Sequence, residues 1–378
     1  MVSTPTSPRP DLPDRMSSIR RIAINTGGGD APGLNAVIRA ATLAALRRGW
    51  QVLGIERGYQ GLLDERSIRT LDRQAVRGIG HLGGTILGAV NRGHPFAYPT
   101  QAGDGSVTTT DRSDEVITNF RRLGIDALIA IGGDGSMRIA QQFVDKGLPI
   151  IGVPKTIDND VYATDVTFGF DTAVTVATEA IDRLHSTAEA HQRVFCVELM
   201  GRYVGWIALH AGIAGGADVI LLPEIPFGIE SICRKVAERE AMGRHFTIVV
   251  VAEGARAQGG ERVTRGVEEI GREVRLGGIG EHVARAIAEC SGKETRTVVL
   301  GHLQRGGRPT PRDRLIAERF GAAAVRAVEA RTFGVMVALD APDVVWVPIA
   351  EAISRIKKVN LDGDTVMTAR DLGICLGD

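Results

Sequence analysis

The chain has 378 residues, enough for two domains of ordinary size. Lys plus Arg and Asp plus Glu both number 45, so the formal net charge is zero and no global basic field draws the chain to nucleic acid or an anionic membrane. Aromatic residues make up only 4%, which argues against a stacking platform for single-stranded nucleic acid. Any anionic ligand must therefore be held by local arginines and backbone amides.

Short apolar strands alternate with longer helical patterns along the chain. The strands are predicted at 21–25, 50–56, 126–132, 148–153, 194–201, 246–254 and 297–302, and the helices at 34–49, 137–147 and about 171–189. This βαβ rhythm is typical of doubly wound parallel sheets. In such sheets ligands bind at the carboxyl ends of the strands, so we predict an α/β fold with its site at that edge.

The cysteines and the N-terminal segment indicate the compartment. The four cysteines are far apart and form no CxxC motif or Cys/His cluster, which predicts reduced, cytosolic thiols without a zinc site; they are Cys196, Cys233, Cys290 and Cys375. No apolar stretch approaches the roughly 18 residues of a membrane span. Residues 1–18 are rich in Pro, Ser and Thr without a signal peptide's apolar core, so we expect a disordered tail and a cytoplasmic protein.

A glycine-rich loop, TGGGDAPG (26–33), follows the first predicted strand and opens a helix. Glycines let a backbone approach phosphate closely, and a helix N-terminus offers free N–H groups with a favourable dipole. The loop matches neither GxxxxGK[ST] nor GxGxxG, so it is neither a P-loop nor a dinucleotide-binding fingerprint. By itself it is equally consistent with a tight strand-to-helix turn.

A second loop, IGGDGS (131–136), follows the strand at 126–132 in the same way. Its glycines again suit phosphate, and Asp134 places a carboxylate where a Mg²⁺ ion that bridges phosphates would bind. An Asp in a glycine-rich turn is often only a turn residue. Two such loops favour nucleotide or polyphosphate binding, although GGDG also occurs in NAD kinases and lipid kinases.

The segment PKTIDND (154–160) leaves an apolar strand and at once presents polar side chains. Phosphoryl transfer needs positioning, charge stabilisation and a carboxylate that takes the proton of the acceptor hydroxyl. Asp158 is a candidate for that base, Thr156 for a hydrogen bond to the transferring group, and Asp160 for the metal or its waters. Turn chemistry alone explains each residue taken singly.

Further polar residues stand near predicted strand ends in the second half of the chain: Arg193, Arg202, Glu253, Arg296, His302 and Arg305. Guanidinium groups match phosphate oxygens, and a carboxylate such as Glu253 at the end of an apolar strand suits a sugar hydroxyl. A lone arginine at a strand end is more often a surface charge. The set together predicts a sugar-phosphate site.

The motifs in their order closely resemble the 6-phosphofructokinase family, from about Arg21 to at least Arg319. They are GGGDAPGLNAVIR, GGDGS, PKTIDND, DRLHSTAEAHQR, MGR, the strand-end AEG and GHLQRGG. The resemblance implies a cytoplasmic glycolytic kinase that phosphorylates the 1-hydroxyl of fructose 6-phosphate. Single motifs such as GGDG are weak, but the ordered set is highly specific.

The resemblance also assigns roles to residues. Asp158 matches the general base, with Thr156 and Arg202 beside it in catalysis, and Asp134 matches the Mg²⁺ ligand. The phosphoryl-donor site is implied at Gly29, Arg92, Gly133, Asp134, Gly135 and Ser136. The fructose 6-phosphate site is implied at Thr156, Asp158, Arg193, Met200, Gly201, Arg202, Glu253, Arg296, His302 and Arg305.

The same resemblance implies two doubly wound domains with mainly parallel sheets and the active site in the cleft between them. Residues 19–169 with about 304–353 form the donor domain, and 170–303 with about 354–378 form the fructose 6-phosphate domain. Arg193 and Arg296 match arginines that reach the 6-phosphate across a subunit interface. We therefore expect a homodimer or homotetramer with shared active sites.

Two positions bear on whether the donor is ATP or pyrophosphate. ATP enzymes of the family usually have glycine where Gly135 and Lys155 stand, whereas pyrophosphate enzymes usually have Asp and Lys. Gly135 leaves room for the α-phosphate of a nucleotide, while Lys155 adds a cation that need not exclude ATP. We predict ATP, with a pyrophosphate-dependent enzyme as the alternative.

Two other classes are weighed against a phosphofructokinase. An NAD or lipid kinase explains GGDG but not PKTIDND with MGR and GHLQRGG, and a non-catalytic sugar-phosphate-binding homologue need not keep both Asp134 and Asp158. Regulation is expected to be weak or absent for ADP and phosphoenolpyruvate. Arg39 is present, but Leu43 and His185 stand where the effector site of the bacterial ATP enzymes has arginine.

Overall fold

The computed structural model describes residues 19–90, 94–101, 107–264 and 276–378. The predicted tail at 1–18 and the predicted donor residue Arg92 lie outside the described residues. The strands are β1 Arg21–Thr26, β2 Gln51–Ile55, β3 Ile68–Thr70, β4 Tyr98–Gln101, β5 Val107–Thr110, β6 Ala127–Gly132, β7 Ile150–Pro154, β8 Val194–Leu199, β9 Val219–Leu221, β10 Thr247–Ala252, β11 Thr295–Val299, β12 Val335–Asp340 and β13 Asp343–Pro348. The helices are α1 Leu34–Leu46, α2 Ser113–Arg122, α3 Asp134–Asp145, α4 Phe170–His191, α5 Trp206–Ala214, α6 Ile229–Ala241, α7 Ile279–Ser291, α8 Pro311–Glu329, α9 Ile349–Ala352 and α10 Asp364–Asp371.

The larger sheet has seven strands in the order β13-β12-β7-β6-β1-β2-β3. Its central strands run parallel, and only the outer pairs β12–β13 and β2–β3 are antiparallel. All residues of β6 and β7 are buried, as expected for strands that helices cover on both faces. Helices α1 and α8 approach closely on one face, since a Cβ added to Gly321 would lie 2.6 Å from the carbonyl oxygen of Val37.

The smaller sheet has four parallel strands in the order β11-β8-β10-β9. Strands β8 and β10 are buried along their whole length, whereas the edge strand β11 is partly exposed. The predicted α/β fold with two sets of mainly parallel strands is therefore confirmed. The chain supplies the larger sheet from both ends of its sequence and the smaller sheet from its middle.

The predicted elements agree with the structure to within a few residues, with one consequential exception. The strand predicted at 297–302 is instead β11, Thr295–Val299, and residues Gly301–Arg305 form a 3₁₀ turn. Gly301 has a φ of 48°, a left-handed conformation that a strand does not contain. The shift places Arg296 inside β11 and His302 in the turn that follows it.

The prediction of four reduced thiols was wrong for two of them. The structure joins Cys233 of α6 to Cys290 of α7 by a disulfide, with 6.3 Å between their Cα atoms. The two residues are 57 positions apart in the sequence, and only the packing of α6 beside α7 brings them together. Cys196 and Cys375 are free thiols.

Among the described residues, no helix has both the length and the apolar content needed to cross a membrane.

Candidate active site

Three loops of the predicted site follow three neighbouring strands of the seven-stranded sheet. Strands β7, β6 and β1 are adjacent and parallel, so their carboxyl ends lie side by side. The loops after them are 155–160, 133–136 and 27–33, in the same order. The sheet therefore brings together at one edge three motifs of which the outer two are more than 120 residues apart in the sequence.

The two glycine-rich loops pack against each other through Ser136. A Cβ added to Gly27 would lie 2.6 Å from Ser136 Oγ, and one added to Gly132 would lie 2.2 Å from Ser136 Cβ. A side chain at either position would therefore require Ser136 to move. A Cβ added to Gly135, in contrast, would meet no atom within 4 Å. The loops are thus tightly packed behind Ser136 and open beside Gly135.

Lys155 is buried, with 3% of its surface exposed, and its ammonium donates to the carbonyl oxygen of Gly29. Burial lowers the pKa of Lys155 to about 8, the charge of Arg305 adds to the effect, and the charge of Asp30 opposes it. The guanidinium of Arg305 donates to the carbonyl oxygen of Asp30 at 3.2 Å. Two cations therefore bond to consecutive carbonyl oxygens of the first glycine-rich loop.

Asp158 and Asp160 lie where burial and neighbouring carboxylates disfavour their ionised forms. Burial raises the pKa of Asp158 to about 7, and the charge of Asp160 adds to it. Burial also raises the pKa of Asp160, with Asp134 among the charges that contribute. Within the described part of the chain, Asp158 Oδ1 is buried and has no hydrogen-bond partner. A buried, unpartnered carboxylate with a pKa near neutrality is suited to accept a proton.

Thr156 shapes the turn that carries Asp158. Its hydroxyl oxygen accepts from the backbone N–H of Asp158 at 3.1 Å, and its carbonyl oxygen accepts from the Thr167 hydroxyl at 2.8 Å. Asn159 follows with a φ of 55°, a left-handed conformation that Asn tolerates better than most residues. The turn is therefore held by side chains of its own segment.

Asp134 begins α3, so its carboxylate lies at a helix N-terminus. It pairs with Arg138 one turn later, with Arg138 Nε 2.9 Å from Asp134 Oδ2. The structure describes no group of three or more His, Cys, Asp or Glu side chains that would hold a metal by themselves. A cation at Asp134 would therefore need oxygen ligands from a bound phosphate or from water.

Three more loops of the predicted site follow the adjacent strands β11, β8 and β10 of the smaller sheet. Met200–Arg202 comes after β8, Glu253 after β10 and the turn Gly301–Arg305 after β11. Gly201 has a φ of 141°, and a Cβ there would lie 2.8 Å from the carbonyl oxygen of Val204. Glycine is therefore required at this position. The half-buried Arg202 lies over the ring of Tyr203, 5.1 Å from its centroid.

Glu253 is the carboxylate of this second edge. Burial raises its pKa, the nearby Glu198 adds to the effect, and Arg305 and Arg202 oppose it. Glu198 itself is buried within β8 and accepts from the backbone N–H groups of Gly278 at 3.0 Å and Gly280 at 2.9 Å. It therefore caps the N-terminus of α7.

Arg305 connects the two edges. It extends from the turn after β11 to the carbonyl oxygen of Asp30 in the loop after β1, and its charge acts on both Asp158 and Glu253. A Cβ added to Gly29 would lie 2.9 Å from Arg305 Nη1, so the approach is close. The carboxyl ends of the two sheets consequently face each other across one cleft, with Asp158 on one side and Glu253 on the other. His302 is exposed at the same turn.

Arg193 and Arg296 do not join this cleft within one chain. Arg193 directly precedes β8, and Arg296 lies near the start of β11, so both stand at the amino edge of the smaller sheet. Glu294 holds them together: its Oε2 lies 2.6 Å from Arg193 Nε, and its Oε1 accepts from Arg296. These two arginines therefore lie at the opposite end of the sheet from the edge at which the strand pattern predicts the site.

Comparison with known proteins identifies the family and the fold. The chain matches the sequence model of the Phosphofructokinase family over residues 21–328. The chain belongs to the phosphofructokinase family. An ATP-dependent 6-phosphofructokinase of Chloroflexus aggregans is 52% identical over 362 residues, which cover 96% of this chain and 99% of the relative. The predicted family and class, a phosphofructokinase and hence a phosphotransferase with an alcohol acceptor, are confirmed.

A relative named for pyrophosphate, rather than ATP, as the donor is almost as similar to this chain. The pyrophosphate–fructose 6-phosphate 1-phosphotransferase of Amycolatopsis methanolica is 50% identical over 341 residues, 90% of this chain and 96% of that phosphofructokinase. Among solved structures, Pichia pastoris phosphofructokinase in the T-state superposes with a TM-score of 0.77 at 31% identity. The match covers 96% of this chain but only 37% of that longer chain. Identity alone therefore does not separate the two donors.

The structure adds residues around the phosphofructokinase site that the sequence did not single out. Glu198 was detectable, because a carboxylate inside the apolar strand VFCVE is as unexpected as Glu253 at the end of its own strand. Lys357 gave no signal: it lies in a polar stretch near the C-terminus, yet it contacts the segment that carries Asp158. Its partners are about 190 residues away in the sequence.

Proposed function

We propose that the chain is an ATP-dependent 6-phosphofructokinase, which transfers a phosphoryl group to the 1-hydroxyl of D-fructose 6-phosphate and yields fructose 1,6-bisphosphate. The observation that carries this proposal is the position of Asp158. Its buried Oδ1 has no hydrogen-bond partner among the described residues, and the charges of Glu253 and Arg305, from loops after the smaller sheet, act on it. We call the carboxyl edge of the seven-stranded sheet the donor edge and that of the four-stranded sheet the sugar edge.

The reaction follows from this arrangement. The 1-hydroxyl oxygen of the sugar attacks the γ-phosphorus of ATP, the bond from that phosphorus to the β,γ-bridging oxygen breaks, and ADP leaves. Asp158 accepts the hydroxyl proton, for which a pKa of about 7 is well matched near neutral pH. Thr156 and Arg202 are proposed to bind the transferring group. Met200, Gly201, Glu253, His302 and Arg305 are proposed to hold the sugar phosphate.

Magnesium is proposed to bind at the donor edge, with Asp134 as its protein ligand. The residues fit such an ion, because three carboxylates lie near one another: the charge of Asp134 raises the pKa of Asp160, and that of Asp160 raises the pKa of Asp158. Mg²⁺ is ordinarily held by one or two carboxylates together with phosphate oxygens and water. When bound, it would neutralise charge on the donor phosphates. Arg138, which pairs with Asp134, would then have to release it.

ATP rather than pyrophosphate is proposed as the donor because of Gly135. The position opens onto empty space, so an α-phosphate and the rest of a nucleotide meet no obstacle there. Gly29, Gly133 and Ser136 would contact the phosphates through the two packed loops. Lys155, the residue that resembles the pyrophosphate enzymes, is bonded to the carbonyl oxygen of Gly29. That ammonium therefore supports the loop and is compatible with either donor.

Pyrophosphate remains the second candidate, on one specific observation. Lys155 brings a positive charge within the donor edge, as pyrophosphate enzymes of the family usually do, and it lies next to the first glycine-rich loop. A cation there would help to retain a small, highly charged donor. The strong similarity to a relative named for pyrophosphate is consistent with this candidate.

A shared active site between two copies of the chain is proposed from Arg193 and Arg296. Both are held at the amino edge of the smaller sheet by Glu294, away from the sugar edge of their own chain. The adjoining strand β11 is a partly exposed edge, with Val299 46% exposed. Two copies would let one chain's arginines bind the 6-phosphate in the other chain's cleft.

The two proposed domains each contain one of the sheets; they are residues 19–169 with 304–353 and residues 170–303 with 354–378. A cytoplasmic location also stays a prediction.

The first experiment is a side-by-side assay. Fructose 6-phosphate phosphorylation is measured with Mg²⁺ and either ATP or pyrophosphate on one enzyme preparation. ATP activity well above pyrophosphate activity is expected if the open space at Gly135 sets the donor. The reverse would show that Lys155 and its surroundings decide, and no activity with either would favour a non-catalytic sugar-phosphate-binding protein.

A further inference from the structure

A short segment near the C-terminus, residues 356–359, runs between the two halves of the site; we call it the strap. Ile356 forms an antiparallel bridge with Val161, just after the segment that carries Asp158. The backbone N–H of Lys357 donates to the carbonyl oxygen of Asp160 at 2.9 Å. The strap is therefore attached by its backbone to the donor side of the cleft.

The ammonium group of Lys357 strengthens that attachment. It donates to Asn159 Oδ1 at 3.1 Å, to the carbonyl oxygen of Thr164 at 2.9 Å and to that of Asp165 at 2.6 Å. An ammonium has three donors, and these three acceptors use all of them. Asn159 Oδ1 also accepts from the backbone N–H of Thr167 at 3.1 Å. One side chain thus bonds both to Asn159, next to Asp158, and to residues 164–165 further along the same loop.

The other side of the strap is attached to the sugar side. Trp206 donates from Nε1 to the carbonyl oxygen of Lys357 at 2.9 Å, and its ring centroid lies 5.7 Å from the Lys357 ammonium. The backbone N–H of Val359 donates to Glu224 Oε1 at 3.0 Å, and Glu224 also accepts from the N–H of Gly205 at 3.1 Å. Gly205 and Trp206 open α5, directly after the Met200–Arg202 loop.

We propose that Lys357 is a positioning residue that fixes the Asp158 loop relative to the Met200–Arg202 loop. This inference rests on the proposed function, because the two loops are those that would carry the base and the sugar ligands. Lys357 touches no reacting atom in this arrangement. It acts through Asn159 and Asp160 on one side and through Trp206 on the other. Supporting groups of this kind determine how closely a site keeps its reactive geometry.

The test compares three lysine variants of the full-length protein. Lys357→Met removes the ammonium and keeps most of the side-chain volume, Lys357→Arg keeps the charge and the donors, and Lys358→Met is the matched control at the exposed neighbouring lysine. Lys357→Met is expected to lower kcat about 10²-fold, since misplacement by about 1 Å has effects of that size. The KM for the phosphoryl donor is expected to change little, Lys357→Arg to recover part of kcat, and Lys358→Met to match the wild type.

A second readout needs no activity. Backbone amide exchange at Thr167, whose N–H bonds to Asn159, is expected to accelerate about tenfold or more in Lys357→Met and to stay unchanged in Lys358→Met. If the wild type is active and Lys357→Met keeps a normal kcat, the inference is overturned, even if the variant melts earlier. If the wild type is inactive with every donor, the proposed function fails, and unchanged exchange at Thr167 would overturn the positioning role separately.

Lys357→Met can fail to fold, in which case Trp206→Phe decides. Phe keeps an aromatic ring, although a smaller one, and removes the hydrogen bond from Nε1 to the carbonyl oxygen of Lys357. We expect the KM for fructose 6-phosphate to rise several-fold, as for the loss of a single hydrogen bond that supports the sugar side. A KM and a kcat both equal to the wild type would overturn the link between the strap and the sugar side.

Discussion

The donor edge and the sugar edge supply the site in different ways. At the donor edge, the loops after β1, β6 and β7 pack together within one chain and carry carboxylates on a framework of glycines. At the sugar edge, Arg202, Glu253 and Arg305 gather in the cleft, while Arg193 and Arg296 lie at the opposite edge of the sheet. One copy of the chain therefore brings the described donor residues together at one edge, whereas the predicted sugar-phosphate ligands are divided between two surfaces.

The largest expected effect tests the group that stands between the edges. Asp158→Asn is expected to lower kcat about 10³-fold, because the amide cannot accept the hydroxyl proton that a general base removes. The KM for fructose 6-phosphate should change no more than a few-fold. Asp145→Asn, at an exposed carboxylate near the end of α3, is the control and should behave as the wild type. Unchanged turnover in Asp158→Asn would remove this residue from the mechanism.

The next effect tests the openness of the donor edge. Gly135→Asp is expected to lower kcat/KM for ATP about 10²-fold, because a carboxylate there repels the α-phosphate at short range. Pyrophosphate has no such phosphate, so its kcat/KM should be much less affected. Gly135→Ala separates bulk from charge, since an added Cβ meets no atom within 4 Å, and should lose far less than the Asp variant. Equal losses with both donors would contradict the steric assignment.

A third effect tests the division of the sugar edge between chains. Arg296→Ala is expected to raise the KM for fructose 6-phosphate about 30-fold, the size of a lost charge-assisted contact with phosphate. Arg296→Ala and Asp158→Asn are then dissociated and reassembled together. If the sites are shared, each mixed dimer contains one intact site, and about a quarter of the wild-type activity should return after random mixing. If no activity returns from assembled mixtures, Arg296 does not act across an interface.

The sequence predicted the donor edge better than the sugar edge for physical reasons. Strands β1, β6 and β7 are buried on both faces, so they read as continuous apolar runs, and the loops after them are marked by glycines. The edge strand β11 alternates exposed and half-buried residues and gives no such run, so its end was placed three residues too late. The same error extended the strand over Gly301 and His302, which lie in the turn that follows it.

Other features have no local signal at all. The three acceptors of the Lys357 ammonium are 192 to 198 residues away from it in the sequence, and two of them are backbone carbonyls, which any residue supplies. The Cys233–Cys290 disulfide depends likewise on how two helices pack. Contacts of this kind follow from tertiary structure and cannot be read from residue type or spacing.

The pH dependence of kcat/KM tests the role of Asp158, the proposed base at the donor edge. Burial raises the pKa of Asp158 to about 7, with Asp160 contributing, and only the ionised carboxylate can act as a base. Well below pH 7, kcat/KM is therefore expected to fall about tenfold per pH unit. A profile of kcat/KM between pH 5 and 9 checks this. An acid limb near pH 4 would show that the carboxylate titrates at its ordinary value.

The raised pKa of Asp158 also affects stability: as pH rises, activity is expected to increase while the free energy of unfolding decreases. The folded state binds the Asp158 proton more tightly than the unfolded state, so this group's contribution to the free energy of unfolding falls as pH rises from about 4 to about 7. Asp158→Asn should then be more stable than the wild type at pH 8, by about 1–3 kcal/mol, and nearly equal to it at pH 4. Denaturant unfolding at the two pH values measures the difference; a variant less stable than the wild type at pH 8 would contradict it.

The smallest expected effect concerns regulation at a distance from both edges. The guanidinium of Arg39 is paired with Glu318 at 2.9 Å, Leu43 packs against the core, and His185 Nε2 donates to the carbonyl oxygen of Gly215 at 2.7 Å. An anionic effector would have to displace the pairing of Arg39 while finding no guanidinium at the other two positions. ADP and phosphoenolpyruvate are therefore expected to shift half-saturation by fructose 6-phosphate less than about two-fold, a coupling well under 1 kcal/mol. Saturation curves with and without each effector test this, and a larger shift would mean that cations elsewhere in the chain replace the missing arginines.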